Sequence, residues 1–408
     1  MNPRPIKPAG RPLRGTVQVP GDKSIAHRAL ILGHLAEGGL RVTNLPDGAD
    51  ILATKACLAA LGRQSTLPCG DSGTTMRLLM GVLAGTEGEA VLVGGDSLSR
   101  RPMARVAEPL LAMGAQVTLS PAGTAPVLVR GRRPLKPLRW RLSVPSAQVK
   151  SAVLLAALSA DGETVVEDPF GTRDHTERLL SWLAPGIVER DGALVRLRPA
   201  PLKGGRSFAV PADPSSAAFF AAAAALVEGS EVSLPGVCVN PTRLGFFEVL
   251  RGMGARVELS ALRESAGEPV ADITVGWAPL RAARVPAGKV PALVDEIPLL
   301  AVVASSARGT TRLEGLAELR LKESDRLAGT AAALRALGGE ARVDGDALEV
   351  RGPTPLRGAS VETLGDHRLA MAFSAAALAA QGESALSDAA CADKSYPAFF
   401  RDLAALRG

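Results

Sequence analysis

Residues 219–236 read FFAAAAALVEGSEVSLPG. The run from Phe219 to Val227 is apolar on every side of a 3.6-residue repeat, so as a helix it is stable only if all of its faces are covered. Gly229 stands just past its end, where a left-handed residue closes a helix, and the β-branched stretch that follows reads as a strand. The same pattern occurs five more times, in ALILGHLAEGG, RLLMGVLAGTEGE, AVLLAALSADGE, PLLAVVASSARGT and MAFSAAALAAQGE. The turn glycines Gly38, Gly88, Gly162, Gly229, Gly309 and Gly382 set one unit per roughly 70 residues. A second helix often follows, closing on Leu61-Gly62, Met113-Gly114, Met253-Gly254 or Leu337-Gly338. Each unit therefore reads strand, helix, strand, helix, strand, an α/β arrangement with its first helix buried.

The chain of 408 residues is long enough for two or three domains, each with its own core. Hydrophobic residues make up 47% and charged residues 22%, which excludes disorder as the main state. Nine Phe, three Trp and one Tyr are too few for the stacking platforms of a single-strand nucleic-acid binder. The formal charge of +6 points instead to small anionic ligands. The start, MNPRPIKPAGRPLRG, has no apolar signal region, and the longest apolar run, Ala217–Val227, is too short to span a bilayer. A cytoplasmic protein is expected. Cys57, Cys69, Cys238 and Cys391 form no CxxC pair, and the four histidines have no metal-ligand spacing, so neither a metal site nor a disulfide framework is expected.

Chemistry concentrates where the first helices begin. Val19-Pro20-Gly21-Asp22-Lys23-Ser24, Val144-Pro145-Ser146-Ala147-Gln148 and Val210-Pro211-Ala212-Asp213 each run from a strand into small polar residues, and Gly70-Asp71-Ser72-Gly73 and Gly365-Asp366-His367-Arg368 are related. Such residues are ordinary caps, but unpaired N–H groups and the positive end of the dipole also suit an anion. Cations sit on top of them. In GDKSIAHRAL, Lys23 with His27 and Ser24 with Arg28 form two rows four residues apart, opposing the dipole unless an anion binds. The motif is not a P-loop, because Asp22 separates Gly21 from Lys23.

In LRLKESDRLAG, Lys322 and Arg326 read as like-charged neighbours on one helix face, with Glu323 held ionised between them. A solvated helix face would look the same. Asp295 and Glu296 interrupt VPALVDEIPLLAVVA, where charge is out of place in an apolar helix and so marks a functional candidate. Further basic residues stand in Arg100-Arg101-Pro102, Arg173-Asp174-His175 and the Lys394 segment DKSYPAFF.

Taken in order, GDKSIAHRA, GDSGTTMRLL, SRRPM, SAQVKSA, TRDHTE, DPSSAAFF, NPTR, DEIPLLA, LRLKESDRL, GDHRLAMA and KSYPAFF resemble the 5-enolpyruvylshikimate-3-phosphate (EPSP) synthases, enolpyruvyl transferases of the shikimate pathway. The resemblance runs from about Pro12 to Phe400 and implies a two-domain inside-out α/β barrel of six βαβαββ repeats, three per domain. It implies chain crossings near Pro20 and Pro211, hence domains of residues 21–210 and of 1–20 plus 211–408. The implied shikimate 3-phosphate site is Lys23, Ser24, Arg28, Ser146, Gln148, Thr172 or Arg173, Asp295 and Lys322; the implied phosphoenolpyruvate (PEP) site is Lys23, Gly73, Arg101, Gln148, Arg326, Arg368 and Lys394. Asp295 is then the base toward the 5-hydroxyl, and Glu323 and Lys23 are the candidates for proton transfer at C3 and at the bridging or leaving oxygen.

Neither a cofactor nor a metal is implied. The partners are the two small-molecule substrates, with no nucleic acid and no membrane, and the chain is expected to be a monomer that closes on its ligands. Gly73 in the PEP loop suggests sensitivity to glyphosate, and Asp71 departs from the Asn usual there. The rivals are a UDP-N-acetylglucosamine enolpyruvyl transferase and a non-enzymatic anion- or nucleic-acid-binding repeat protein. The first is disfavoured by Ser24 after Lys23 and by the lack of Cys in Gly94–Arg101.

Overall fold

The computed structural model describes residues 3–407. Its helices are α1 Lys23–Leu35, α2 Ala49–Ala60, α3 Gly73–Ala84, α4 Ala104–Ala112, α5 Ala147–Ala157, α6 His175–Leu183, α7 Pro214–Leu226, α8 Gly245–Gly252, α9 Ile297–Ala304, α10 Arg326–Ala336, α11 His367–Ala379 and α12 Phe399–Ala405. The chain divides into two compact units, one of residues 23–210 with 265–268, the other of residues 3–22, 211–264 and 269–407. The first crossing falls after Asp22 rather than after Pro20. Gly21 is bridged to Ala212, and the Asp22 N–H donates to Pro211 O at 2.7 Å, which keeps both residues with the second segment.

Apolar helices take the centre of each unit. Every residue of α7 and α9 is buried, as is all of α11 except Ala379, and these three pack against one another. In the other unit α3 packs on α1 and α5, with α5 buried from Val149 to Ala157. Sheets line the outside with alternating exposure, as in Glu340–Asp344, so each unit is an inside-out α/β barrel.

Four units are complete and share one strand order. Thr66–Pro68 runs parallel to Gly88–Val93, with Pro68 opposite Val93; Gly88–Val93 is antiparallel to Val127–Gly131, which is antiparallel to Gln116–Thr118. The same order holds for the sheets around Thr164–Glu167, Glu231–Cys238 and Gly309–Leu313. The other two units are cut short. Arg206–Ala209 pairs in parallel with Leu40–Thr43, with no hairpin added, and Ser360–Val361 pairs with Ser384–Leu386, whose far edge takes Arg4–Ile6 from the chain's start. The strand before α1, Arg14–Thr16, lies beside Glu231–Cys238, while the strand before α7 lies beside Leu40–Thr43. The two crossings have thus exchanged first strands.

Helix ends follow the residues written at them. Gly62, Gly114, Gly254 and Gly338 all have positive φ. At Gly114, with φ 98°, the N–H reaches Leu111 O at 2.9 Å and the next N–H reaches Leu110 O at 3.2 Å, closing α4.

The tightest helix contact is between α3 and α5 at Gly81, where an added Cβ would overlap the carbonyl of Ala152 and stand 2.8 Å from its Cα. Backbone on both sides leaves nothing flexible to yield. Gly81→Ala should destabilise the 23–210 unit by about 1–3 kcal/mol, the scale of overpacking, measured as a lower thermal midpoint than wild type.

Candidate active site

In the 23–210 unit the candidate residues gather where α1, α3 and α5 begin. Lys23 opens α1 and its Nζ lies 3.0 Å from Asp50 Oδ2, so a carboxylate on α2 balances this cation before any ligand does. His27, four residues on in α1, continues the row and faces α2 one turn further along. Its ring is buried with Nδ1 2.7 Å from Thr54 Oγ1. Arg28 is also buried, donating to Ser24 O, Thr176 Oγ1 and Ser151 Oγ at 2.9, 2.7 and 2.7 Å, which fixes its guanidinium between α1, α5 and α6. Ser24 Oγ accepts from Arg173 Nη1 at 3.3 Å, bringing together two residues 149 apart in sequence.

A second cluster surrounds Gly73. Ser72 caps α3 by accepting from Thr75 N. A Cβ at Gly73 would stand 2.8 Å from Arg101 Nη1 and 3.0 Å from Arg77 Nη1, so the bare backbone lets two guanidinium groups reach the helix start. Arg77 donates to Gln148 Oε1 at 2.7 Å, and Gln148 Nε2 donates to Thr74 Oγ1 at 2.8 Å, joining α3 to α5 beside the Ser146 cap. Asp71 accepts from Leu98 N at 3.2 Å and so braces the turn that leads to Arg101. An amide oxygen could accept the same bond, so this contact alone does not require Asp.

The loop carrying Thr172 and Arg173 is organised from below. Lys150, buried in α5, lies 2.8 Å from Asp168 and 2.7 Å from Glu177 and also donates to Thr172 O at 3.1 Å. Asp168 accepts from Phe170 N, Thr172 N and Thr172 Oγ1. The Thr172 hydroxyl is therefore committed to Asp168 inside the unit, and of the expected alternatives Arg173 is the side chain that joins Ser24. Burial works against the charges of both Lys150 and Asp168. Attraction outweighs it: Glu177 and then Asp168 raise the lysine above its ordinary value, and Lys150 holds the Asp168 carboxyl below its own.

In the other unit, Arg326 is the hub. This fully buried guanidinium donates through Nε to Asp366 Oδ2 at 2.8 Å, through Nη2 to Glu323 Oε2 at 2.5 Å, and through Nη1 to Asp295 Oδ1 at 3.3 Å. Burial opposes its charge, but Asp366, Glu323 and Asp295 raise its proton affinity further still, and Asp366 is in turn held below the usual carboxylate range by Arg326 and His367 against the cost of its own burial. Lys322 shifts the other way. Desolvation lowers it, aided by Arg326 and opposed by Asp295, Glu323 and Glu318. Arg368 near the start of α11 places Nη1 3.9 Å from Glu296 and its guanidinium 5.9 Å from the centre of the Phe219 ring. Lys394 donates to Gly365 O at 3.1 Å, just before that helix.

Two local expectations are corrected. Asp295 and Glu296 do not interrupt a helix; they form the 3-10 turn Val294–Glu296 that precedes α9. Nor is LRLKESDRLAG one helix. A 3-10 turn ends at Leu321, Lys322 is extended, and Asp325 caps α10 by accepting from Ala328 N, so Lys322 and Arg326 are not successive rungs of one face. Sequence reasoning passed over Arg77, Asp50 and Arg243. A cation four residues after Gly73 in an apolar helix was the available signal for Arg77; nothing local marks Asp50 as the partner of Lys23.

Fold and geometry define a class first: a two-domain α/β protein whose buried helices start among cations and paired carboxylates, suited to holding strongly anionic ligands and moving protons on them. Comparison with known proteins narrows this. The family model of EPSP synthase (3-phosphoshikimate 1-carboxyvinyltransferase) matches residues 7–67 and 63–403. The 3-phosphoshikimate 1-carboxyvinyltransferase of Acidithiobacillus ferrooxidans is 48% identical, with 97% of this chain and 95% of the relative covered, and that of Desulforudis audaxviator is 46% identical over 98% and 99%. A solved EPSP synthase from Acinetobacter baumannii superposes with a TM-score of 0.88 at 38% identity, covering 98% of this chain and 97% of that one. The chain belongs to the EPSP synthase family.

Removing Lys150 would leave Asp168 and Glu177 buried without their cation. Lys150→Met should lower stability by about 3–5 kcal/mol, the cost of breaking a buried pair, as measured by denaturant unfolding at neutral pH.

Proposed function

We propose that this chain transfers the enolpyruvyl group of PEP to the 5-hydroxyl of shikimate 3-phosphate and releases phosphate, with the residues above in definite roles. The observation that carries the role assignment is Arg326 holding Asp295 and Glu323 within hydrogen-bond distance of one guanidinium. Addition forms a bond from the 5-oxygen to C2 of PEP while C3 gains a proton and the 5-hydroxyl loses one. Elimination then removes a C3 proton and breaks the C2–O bond to phosphate. Asp295 takes the hydroxyl proton, Glu323 serves C3, and Lys23 serves the bridging oxygen as phosphate leaves. The reaction balances without a cofactor.

Binding follows from charge. Lys23, Ser24, Arg28, Ser146, Gln148, Arg173, Asp295 and Lys322 hold shikimate 3-phosphate; Lys23, Gly73, Arg101, Gln148, Arg326, Arg368 and Lys394 hold PEP, and Arg77 joins them through Gln148. Two anions that repel each other in water need many cations to be held together. PEP arriving at Arg326 competes with Asp295 and Glu323 for its N–H groups and so loosens both carboxylates for proton transfer. A carboxylate relay of this kind has no use in a nucleic-acid-binding repeat protein, and the named relatives do not favour the UDP-N-acetylglucosamine reaction. No helix of the described residues is long and apolar enough to cross a membrane. A cytoplasmic monomer is part of the same proposal, and the four buried free cysteines suit its reducing compartment.

Phosphate release should require PEP with shikimate 3-phosphate and should not occur with PEP and UDP-N-acetylglucosamine. Lys23→Met, Asp295→Ala and Glu323→Ala should each lower turnover by about 100-fold or more, the scale for a positioned proton-transfer group. Near-normal phosphate release by any one would remove that residue from the mechanism.

Lys322 makes the pH dependence specific. Only its ammonium form attracts a phosphate dianion, and desolvation lowers its proton affinity, so rising pH removes its charge earlier than that of an ordinary lysine. The KM for shikimate 3-phosphate should climb on the alkaline side, and Lys322→Arg, which stays charged, should flatten that climb in steady-state kinetics.

A further inference from the structure

The loop after strand Glu231–Cys238 carries a buried arginine that the reaction as described does not use. Asn240-Pro241-Thr242-Arg243 folds into a tight turn in which Asn240 Oδ1 accepts from Thr242 N at 2.9 Å and Thr242 Oγ1 at 2.8 Å, while Arg243 N donates to Asn240 O at 2.8 Å. The side chain runs inward and is 3% exposed. Its Nη1 donates to Asp22 Oδ2 at 2.5 Å, and its Nη2 donates to Asp213 Oδ1 at 3.0 Å and to Ser215 Oγ at 2.9 Å.

Each acceptor stands beside a proposed active-site group or a helix start. Asp22 immediately precedes Lys23, and Asp213 caps α7 by accepting from Ser215 N. Ser215 Oγ passes its own hydrogen bond to Glu296 Oε1, the residue that follows Asp295 and immediately precedes α9, and the same Glu296 oxygen lies 3.9 Å from Arg368 Nη1 on α11. The backbone agrees with the side chains: Asp22 N donates to Pro211 O and Asp213 N to Pro20 O, pairing the two segments at which the chain changes unit. One guanidinium is therefore linked, directly or through Ser215 and Glu296, to the starts of all three central helices of its unit.

We propose that Arg243 is a positioning residue for the reaction, fixing through Asp22, Ser215 and Glu296 the backbone from which Lys23, Asp295 and Arg368 act. This rests on the roles given to those three residues above. The geometry calls for arginine in particular, since the acceptors are divided between two separate nitrogens of one rigid planar fork, whereas the donors of a lysine all radiate from a single nitrogen. Small misplacements suffice to matter: about 1 Å at the reacting groups can cost on the order of 100-fold in rate.

The test compares Arg243→Lys, Glu296→Gln and the double variant with wild type, each shown to be folded by circular dichroism and assayed for phosphate release. Arg243→Lys should lower kcat by about 10- to 100-fold. Glu296→Gln should raise the KM for PEP, and the double variant should lose much less than the product of the two single losses, because both changes break one chain of contacts. A folded Arg243→Lys with wild-type kcat and KM and only a lower thermal midpoint would reduce the residue to a structural one, and multiplicative losses in the double variant would overturn the route through Glu296. If Arg243→Lys does not fold, Glu296→Gln and Ser215→Ala decide, since wild-type kinetics in both would overturn the proposal. Failure of the functional reading looks different: Asp295→Ala would keep its turnover whatever Arg243 does.

Discussion

A helix that is apolar on every face can be satisfied only at the centre of a fold, and the rest of this structure depends on that constraint. Once α7, α9 and α11 fill one unit, the sheets must lie outside them, and buried charge gathers at the polar starts of these helices and in the loops that meet them. Burial of apolar side chains drives the arrangement, at roughly 25 cal/mol per Å² removed from water. The chemistry is a consequence of where that burial stops.

Charges gathered at buried helix starts must be balanced before any ligand arrives. The structure does this with pairs: Lys23 with Asp50, Lys150 with Asp168 and Glu177, Arg326 with Asp295, Glu323 and Asp366, Arg243 with Asp22 and Asp213. These pairs divide into two kinds. Lys23, Asp50, Asp295 and Glu323 retain some contact with solvent. Lys150, Asp168, Glu177, Asp22 and Arg243 are closed off and hold loops and helix starts in place. The same electrostatic device thus supplies both a partly exposed layer and a closed support, and losing one partner in the closed layer is costly because the other charge stays buried.

Local pattern and spatial neighbours were not equally legible. The glycine that closes α4 could be read from Met113-Gly114, because a left-handed residue after a helix is a local demand. The acids Asp295 and Glu296 stood out correctly as unusual, yet their place in a 3-10 turn rather than in a helix was settled by packing around Arg326 and Ser215. Lys322 and Arg326 looked like neighbours on a helix because their spacing allows it, but the cap at Asp325 starts a new helix between them. His27 and Thr172 looked available in the sequence and are turned inward, toward Thr54 and Asp168.

By itself the sequence determined the six apolar helices, the turns that end them, the α/β class and the family, because each rests on residues close together in the chain or on motifs in order. Only the tertiary structure decided the exchange of first strands between Arg14–Thr16 and Arg206–Ala209, the meeting of Ser24 with Arg173, and the buried hub of Arg243 with Asp22. Those pairings join residues 149 to 221 positions apart. No local periodicity encodes such a distance; it is fixed when the buried helices and their sheets close around a common core.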